Sequence, residues 1–538
     1  MTNGAGSLPS RKWSIVALAS AGMATVIFSY LLAIAFAIGC LVLPILLLVT
    51  FPVGEGGNII SRLLVSAFCV VVALTILWSL IPENPPFDAN GVRIDLARQP
   101  RLAAEIKAIA TTLREPMPSE VFVVADANAF VTEIPGPEGK RRILALGLPL
   151  LQMLSIAQFR AVLAHEFAHY YAGDTRLGPS VYNTRRAMSR VYENLGRKSK
   201  IMGFLRQWGV IAGLYSILMG ALRAYWKIFM RITQAISRRQ EIRSDELACH
   251  IAGSRALIDG LESIRKCSAG LNAYWDSFVL PVAMGGYQPD LAFGFQQFMR
   301  APHIEKAMAE FVAQESSQER VSAFDSHPSL GKRIELARGY DRPMPADTRI
   351  DTSLPMISLI DELEAVQAAI LRKVLPNIPA AELKPLNWET AGADIYVPSW
   401  REQVAPFLTF LASRKMSELP QLILDPRPVA KLVPNPSEGR MPQAQRMAIA
   451  IDVLFCAFAL TLMDNGWSLI TSPGVLQLQN GDASIDPASV IGLIQSGGLS
   501  IVEWRTFRAE RSIGDWPLAT MPAELGAEVK DLVPDAVR

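Results

Sequence analysis

Ala164-His165-Glu166-Phe167-Ala168-His169-Tyr170 is the stretch on which the reading of this chain turns. On a helix, residues four apart leave the same face, so His165 and His169 can reach one metal ion with Glu166 beside them. Zinc suits neutral imidazole, and a site with three protein ligands keeps one position for a water that attacks a carbonyl once a carboxylate has taken its proton. The competing reading is a satisfied pair of structural histidines. With only five histidines in the chain, an HExxH by chance is rare. The helical context agrees: Ser155-Ile156-Ala157-Gln158 reads as a capping box, and Phe159, Val162, Leu163 and Phe167 follow at helical spacing.

Working outward to the N-terminus, the pattern becomes that of a membrane protein. Half of the 538 residues are hydrophobic, and the mean hydropathy of +0.24 is high for a soluble enzyme. Residues 13–51 carry no charge and 59–81 carry only Arg62, each exceeding the roughly 20 residues that cross a bilayer. Arg11 and Lys12 precede the first run, Glu55 is the only charge in the connection 52–58, and Arg93, Arg98 and Arg101 follow the second. Basic residues at both ends predict a transmembrane hairpin with the N-terminus and everything after about residue 82 on the cytoplasmic side. The length of the first run leaves a break, or a second crossing, as its alternative. A net charge of +2 excludes a nucleic-acid surface as the organising theme. Cys40, Cys69, Cys249, Cys267 and Cys456 have no paired metal spacing and read as thiols in a reducing compartment.

After the proline-rich linker 82–86, residues 101–113 read as an amphipathic helix, 120–124 and 142–146 as strands, and 134–139 as a turn-rich stretch between them. A strand with a free edge beside the HExxH helix could hold an extended peptide by main-chain hydrogen bonds, or could merely pack a small sheet. A third metal ligand must come from elsewhere. In Ser237-Arg238-Arg239-Gln240-Glu241-Ile242-Arg243-Ser244-Asp245-Glu246-Leu247-Ala248, Glu241 and Asp245 stand four apart on a predicted helix. One can bind metal while the other holds an imidazole, although acids among arginines are more often a solvated face.

Five blocks, in order, carry a resemblance. They are Asn128-Ala129-Phe130, the run from Gly147 to Leu151, RAVLAHEFAHYYAGD from Arg160, SRRQEIRSDELA from Ser237 and SHPSLGKRIELA from Ser326. Together they resemble the HtpX-like and CAAX-prenyl-protease-like membrane zinc metallopeptidases over about residues 90–340. The resemblance implies a gluzincin-type helical peptidase domain in which His165, His169 and Glu241 hold one zinc and Glu166 is general base and acid. It implies that Asp245 partners a ligand histidine, and that His327 and Arg333 stand over the reacting oxygen to steady the oxyanion. The alternative for His327-Pro328 is a helix cap. Asn128, Ala129 and Phe130 fall to the substrate strand. Asp174 reads as a loop or supporting residue, and His250 and His303 as structural.

The expected fold is mainly α (α+β): a transmembrane hairpin over 1–90, a zinc peptidase domain with a small sheet over 91–342, and a separate C-terminal α+β accessory domain over 443–538. Within the peptidase domain, 178–236 is a basic and apolar insertion beside the membrane. Arg185, Arg186, Arg190, Arg197, Lys198 and Lys200 stand there with Glu193, and 207–222 reads as an interfacial or re-entrant helix or a buried soluble one. Between the domains, 343–442 is expected to hold one helix and a long irregular proline-rich connection. In the C-terminal domain, 447–463 reads as a core helix, strands as lying near 476–479 and over 501–507, and Asp486-Pro487 as the start of a helix. The predicted activity is zinc endopeptidase action on peptides or proteins, with membrane quality control following from the resemblance alone, lipid bilayer as a partner and no nucleic acid. A CAAX-type processing protease, a non-proteolytic scaffold and a small-amide hydrolase are the alternatives. The localisation expected is a bacterial inner membrane, with the active site facing the cytoplasm.

Overall fold

The computed structural model describes residues 13–50, 59–81, 91–136, 139–171, 177–195, 209–317, 327–345, 350–378, 383–434 and 441–520. Arg11, Lys12, the connection 52–58, the linker 82–86, Asp174, Arg197, Lys198, Lys200 and Ser326 lie outside the described residues. The fold is mostly helical with small sheets and apolar helices at the N-terminus. It divides into two compact units, Met1–Ser268 with Met308–Lys373, and Ala269–Ala307 with Val374–Arg538.

The first apolar run forms one helix, α1 (Trp13–Thr50), which continues through Pro44. The second forms α2 (Ile59–Leu80). Both contain stretches long and apolar enough to cross a membrane. At 38 residues α1 is about 57 Å long, nearly twice a hydrocarbon core. Helix α3 (Pro100–Leu113) starts on its proline, whose missing N–H costs nothing in a first turn.

A four-stranded sheet follows, with β1 (Gly91–Ile94), β2 (Glu120–Val124), β3 (Ala129–Gly136) and β4 (Gly139–Gly147) in the order β1-β2-β4-β3. Strand β3, which the sequence reading did not foresee, runs antiparallel to β4 from Ala129 opposite Leu146 to Gly136 opposite Gly139, so the stretch expected as a turn, 134–139, takes in the end of β3 and the start of β4. Pro135 belongs in a strand here because β3 is an edge. Gly147 ends β4 where a Cβ would lie 2.1 Å from Asp126 O, and its N–H donates to Asn128 O at 2.8 Å. That approach ties the start of β3 to the turn leading into the metal-site helix.

Helix α4 (Ile156–Tyr171) carries HExxH. Its capping box is reciprocal: Gln158 N donates to Ser155 Oγ at 3.2 Å and Ser155 N to Gln158 Oε1 at 2.9 Å. Helix α5 (Leu177–Leu195) follows, and then α6 (Gly209–Ala252), an unbroken 44 residues and about 66 Å. The apolar segment of the insertion and the segment bearing Glu241 are thus one helix. Along α6, Phe229 and Met230 pack with Val26 of α1, whereas Met219 packs with Ala37. The two helices therefore run antiparallel. Arg190 of α5 donates to Ser79 O and Ile81 O at 2.7 and 2.9 Å, closing the end of α2. The start of α1, the end of α2 and the Glu241-bearing half of α6 point the same way. Helices α7 (Ser254–Tyr274), α8 (Pro302–Ser317) and α9 (Leu330–Tyr340) complete the surroundings of the site.

In the second unit, the region expected as an irregular connection forms short helices, with Pro398, Pro406, Pro420 and Pro428 in first turns, where proline fits. Gln443–Asp464 is a helix of membrane-crossing length, more than half buried within the fold. Three antiparallel strands, β5 (Ser468–Ser472), β6 (Val475–Asn480) and β7 (Ala483–Ile485), follow it. Asp486 caps the helix Pro487–Gln495 by accepting from Ala488 N at 2.9 Å. The strand expected over 501–507 is instead part of helix Ile501–Glu510. Its cause is a second reciprocal capping box, in which Ser500 Oγ accepts from Glu503 N and Glu503 Oε2 from Ser500 N. Trp504 of that helix is buried and donates to Met416 O at 2.9 Å.

Candidate metal centre

Two helices build the site. α4 brings His165 and His169 onto one face, and α6 crosses it with Glu241, Ser244 and Asp245 one turn apart or less. Helix α4 is anchored from behind by Arg160, whose Nε and Nη2 donate to the buried Glu105 of α3 at 2.6 and 3.0 Å. Both charges are nearly buried, so the fork is a rigid strut rather than a surface pair.

The ligand atoms converge. His165 Nε2 and His169 Nε2 are 3.3 Å apart, and Glu241 Oε2 and Oε1 lie 3.5 Å from His165 Nε2 and His169 Nε2 respectively. Two ligands each about 2.0–2.1 Å from a tetrahedral ion stand roughly 3.3 Å apart. The three side chains therefore have the spacing and donor types of a metal site, and they form the one such group found among the described residues.

The surroundings aim these ligands. His165 Nδ1 lies 2.9 Å from Asp245 Oδ1, which directs Nε2 toward the centre. His169 Nδ1 lies 3.3 Å from the buried Ser244 Oγ, a contact the sequence reading missed. Its only signal was a serine one turn after Glu241, on the same face of the helix. Arg333 commits Nε and Nη2 to Asp245 Oδ2 and Oδ1 at 2.8 and 2.7 Å. His327 Nδ1 is 2.9 Å from Glu241 Oε2, with most of its ring exposed to the cleft. The cleft is lined by Asn128, Ala129, His165, Glu166, His327 and Arg333, among others. Among the described residues, the structure thus brings together the candidate metal, catalytic and substrate residues except Phe130, which is in β3 but not on that lining.

Electrostatics follow from burial against charge. Desolvation alone would lower the pKa of His165, but the Asp245 and Glu241 carboxylates outweigh it and push it up to about 10. Burial would raise Glu241, yet His165 and His327 hold its carboxyl well below the usual range. Asp245 is likewise lowered, against burial, by Arg333 and His165. Without metal, the His165 contribution to stability is complete below its ordinary pKa of 6.5 and lost as pH rises through about 10. The carboxylates contribute above their ordinary range, and that contribution is lost as acid protonates them. Metal binding at pH 7 must therefore displace the His165 proton. Calorimetry in buffers of different ionisation enthalpy should find about one proton released, with apparent affinity rising about tenfold per pH unit until near pH 10. Uptake with no proton release at pH 7 would contradict this coupling. For Ser244→Ala, metal affinity should fall about 10-fold, the lower end of the effect of groups that orient a ligand, with little change in helix content; a competition titration against a chelator measures it.

A helix-borne HExxH facing a buried carboxylate, in a chain with membrane-length helices, defines a membrane metalloprotease as its class. Residues 96–341 match the model of Peptidase family M48. Protease HtpX of Xylella fastidiosa is 28% identical over 271 residues, covering 49% of this chain and 86% of the relative. A Protease HtpX homolog of Prosthecochloris aestuarii is 28% identical over 232 residues, 40% of this chain and 71% of its own. Protease HtpX of Haemophilus influenzae is 25% identical over 317 residues, 55% of this chain and 94% of its own. Ste24p of S. mikatae, a crystal structure, aligns over 60% of this chain and 67% of its own at 18% identity, but with a TM-score of 0.25 it carries no weight.

Proposed function

We propose that the protein is an integral membrane zinc endopeptidase whose active site faces the cytoplasm of a bacterial inner membrane and whose substrates are membrane proteins under quality control. The observation that carries the chemistry is the convergence of His165, His169 and Glu241 at metal-ligand spacing in a cleft that also contains Glu166. Zinc held by His165, His169 and Glu241 would supply a Lewis acid that acidifies a water. Glu166 would be the base for the attacking water's proton and the acid toward the leaving amine. His327, at the exposed rim, donates to the oxygen on which charge develops. Arg333 acts as a positioning residue: it holds Asp245, and Asp245 holds His165. The free edge of β3 at Asn128, Ala129 and Phe130 lays an extended peptide along the cleft, reading main chain more than side chain.

The orientation rests on the shared direction of the α1 start, the α2 end and the metal-bearing half of α6, together with the basic residues after α2. The quality-control role rests on the likeness to HtpX proteases. Detergent-purified protein should cleave an unfolded model substrate such as casein, lose that activity to a chelator and regain it with zinc. If the metal-loaded protein leaves unfolded proteins intact but cuts one short processed peptide, the narrow processing reading replaces quality control.

A further inference from the structure

Away from the metal site, α1, α2, α5 and α6 enclose a groove with apolar walls that include Leu32, Phe36, Ile76, Val191 and Leu218. One end is polar and carries Ser29, Thr184 and Tyr225. Ser29 donates to Thr25 O at 2.7 Å, and the buried Tyr225 hydroxyl has the Ser29 hydroxyl as its neighbour, at a geometry looser than a regular hydrogen bond. An occupant that supplies an acceptor would give that hydroxyl a better-aligned partner than Ser29.

The polar end is also level with Tyr30 and Trp226, which pack together with Tyr225. Such amphipathic rings mark membrane surfaces. From Leu31 to the end of α1 at Thr50 is 20 residues (50 − 31 + 1), about 30 Å, which is the thickness of a hydrocarbon core. With the hydrocarbon core placed over residues 31–50 of α1, the apolar body of the groove lies at acyl-chain depth and its polar end at headgroup depth. An extended peptide at that depth would bury main-chain amides against walls that offer no partners. Charge narrows the choice further. The described part of α5 bears Arg185, Arg186 and Arg190 against a single acid, Glu193, which accepts from Ser189 at 3.3 Å. Arg190 is at the end of α2, beside the groove-lining Leu80.

We infer that this groove binds one anionic phospholipid from the bilayer. An acyl chain fills the apolar body, a glycerol-ester or phosphate oxygen accepts from the Tyr225 hydroxyl, and the phosphate faces the arginines of α5. Because α6 is one wall and carries Glu241 and Asp245 further along, the lipid also braces the helix that presents them.

The test uses the full chain in mild detergent, washed free of loose lipid, with phosphatidylglycerol and phosphatidylcholine as probes read by native mass spectrometry. Wild type should keep one phosphatidylglycerol per chain and prefer it about tenfold, the equivalent of one charge-assisted hydrogen bond. Ala33→Phe and Ala187→Phe, which fill the body from two different helices, should each abolish retention. Tyr225→Phe and Arg185→Gln, which fill nothing, should weaken it about tenfold and carry the test if the larger variants fail to fold. Equal retention of both lipids overturns the inference, as does undiminished retention in folded Phe variants. Cross-linking of a second copy of the chain from position 187 would also overturn it.

Discussion

Glu166→Gln is expected to lower kcat/KM for peptide hydrolysis by about 10²–10⁴-fold while leaving the metal bound. Glu166 follows a candidate ligand directly, yet it is not one of the three converging groups, and it lines the cleft. Glutamine keeps its shape and hydrogen-bonding reach but cannot take a proton. The loss should therefore appear in kcat, with metal content and thermal transition unchanged. Near-normal turnover in this variant would remove Glu166 as the base. Loss of the metal together with activity would mean that Glu166 is a ligand.

The second large effect is expected on stability. Arg333 is nearly buried and gives two short hydrogen bonds to Asp245, itself almost wholly buried. Arg333→Met leaves that carboxylate in a poorly solvated site without its two guanidinium bonds, beside His165 Nδ1 at 2.9 Å. Removing one member of such a pair costs about 3–5 kcal/mol. Asp245 would also hold His165 less firmly, so metal affinity should fall about 10–100-fold. Arg333→Lys restores the charge but not the fork and should recover only part of both losses. Thermal unfolding of the metal-free protein and a chelator competition separate the two. A variant as stable as wild type that binds metal as tightly would contradict the positioning role.

The HExxH helix was legible because its signals are local: a capping box, helical spacing and two histidines on one face all fall within 15 residues, from Ser155 to His169. Strand β2 was legible for the same reason. Strand β3 was hidden by Pro135 and Gly136, residues that mark turns in most places and are tolerated here because the strand is an edge. The continuity of α6 was hidden by its change of character, from apolar residues near 212 to arginines near 238, because composition changes with surroundings while the backbone does not. Prolines 398 to 428 misled for a positional reason. Their meaning depends on whether they fall in a first turn, and only the folded chain settles that. The contacts of Ser244 and the pairing of Arg333 with Asp245 join helices 75 and 88 residues apart, a distance over which one sequence offers no spacing rule.

The central claim is that His165, His169 and Glu241 together hold the metal. Its most direct test is the zinc content of detergent-purified wild type beside Glu241→Ala, each equilibrated with buffered zinc and washed. About one zinc per chain in wild type and almost none in the variant is the expected result. A wild type that takes up no zinc, or a Glu241→Ala variant that keeps a full complement, would contradict it.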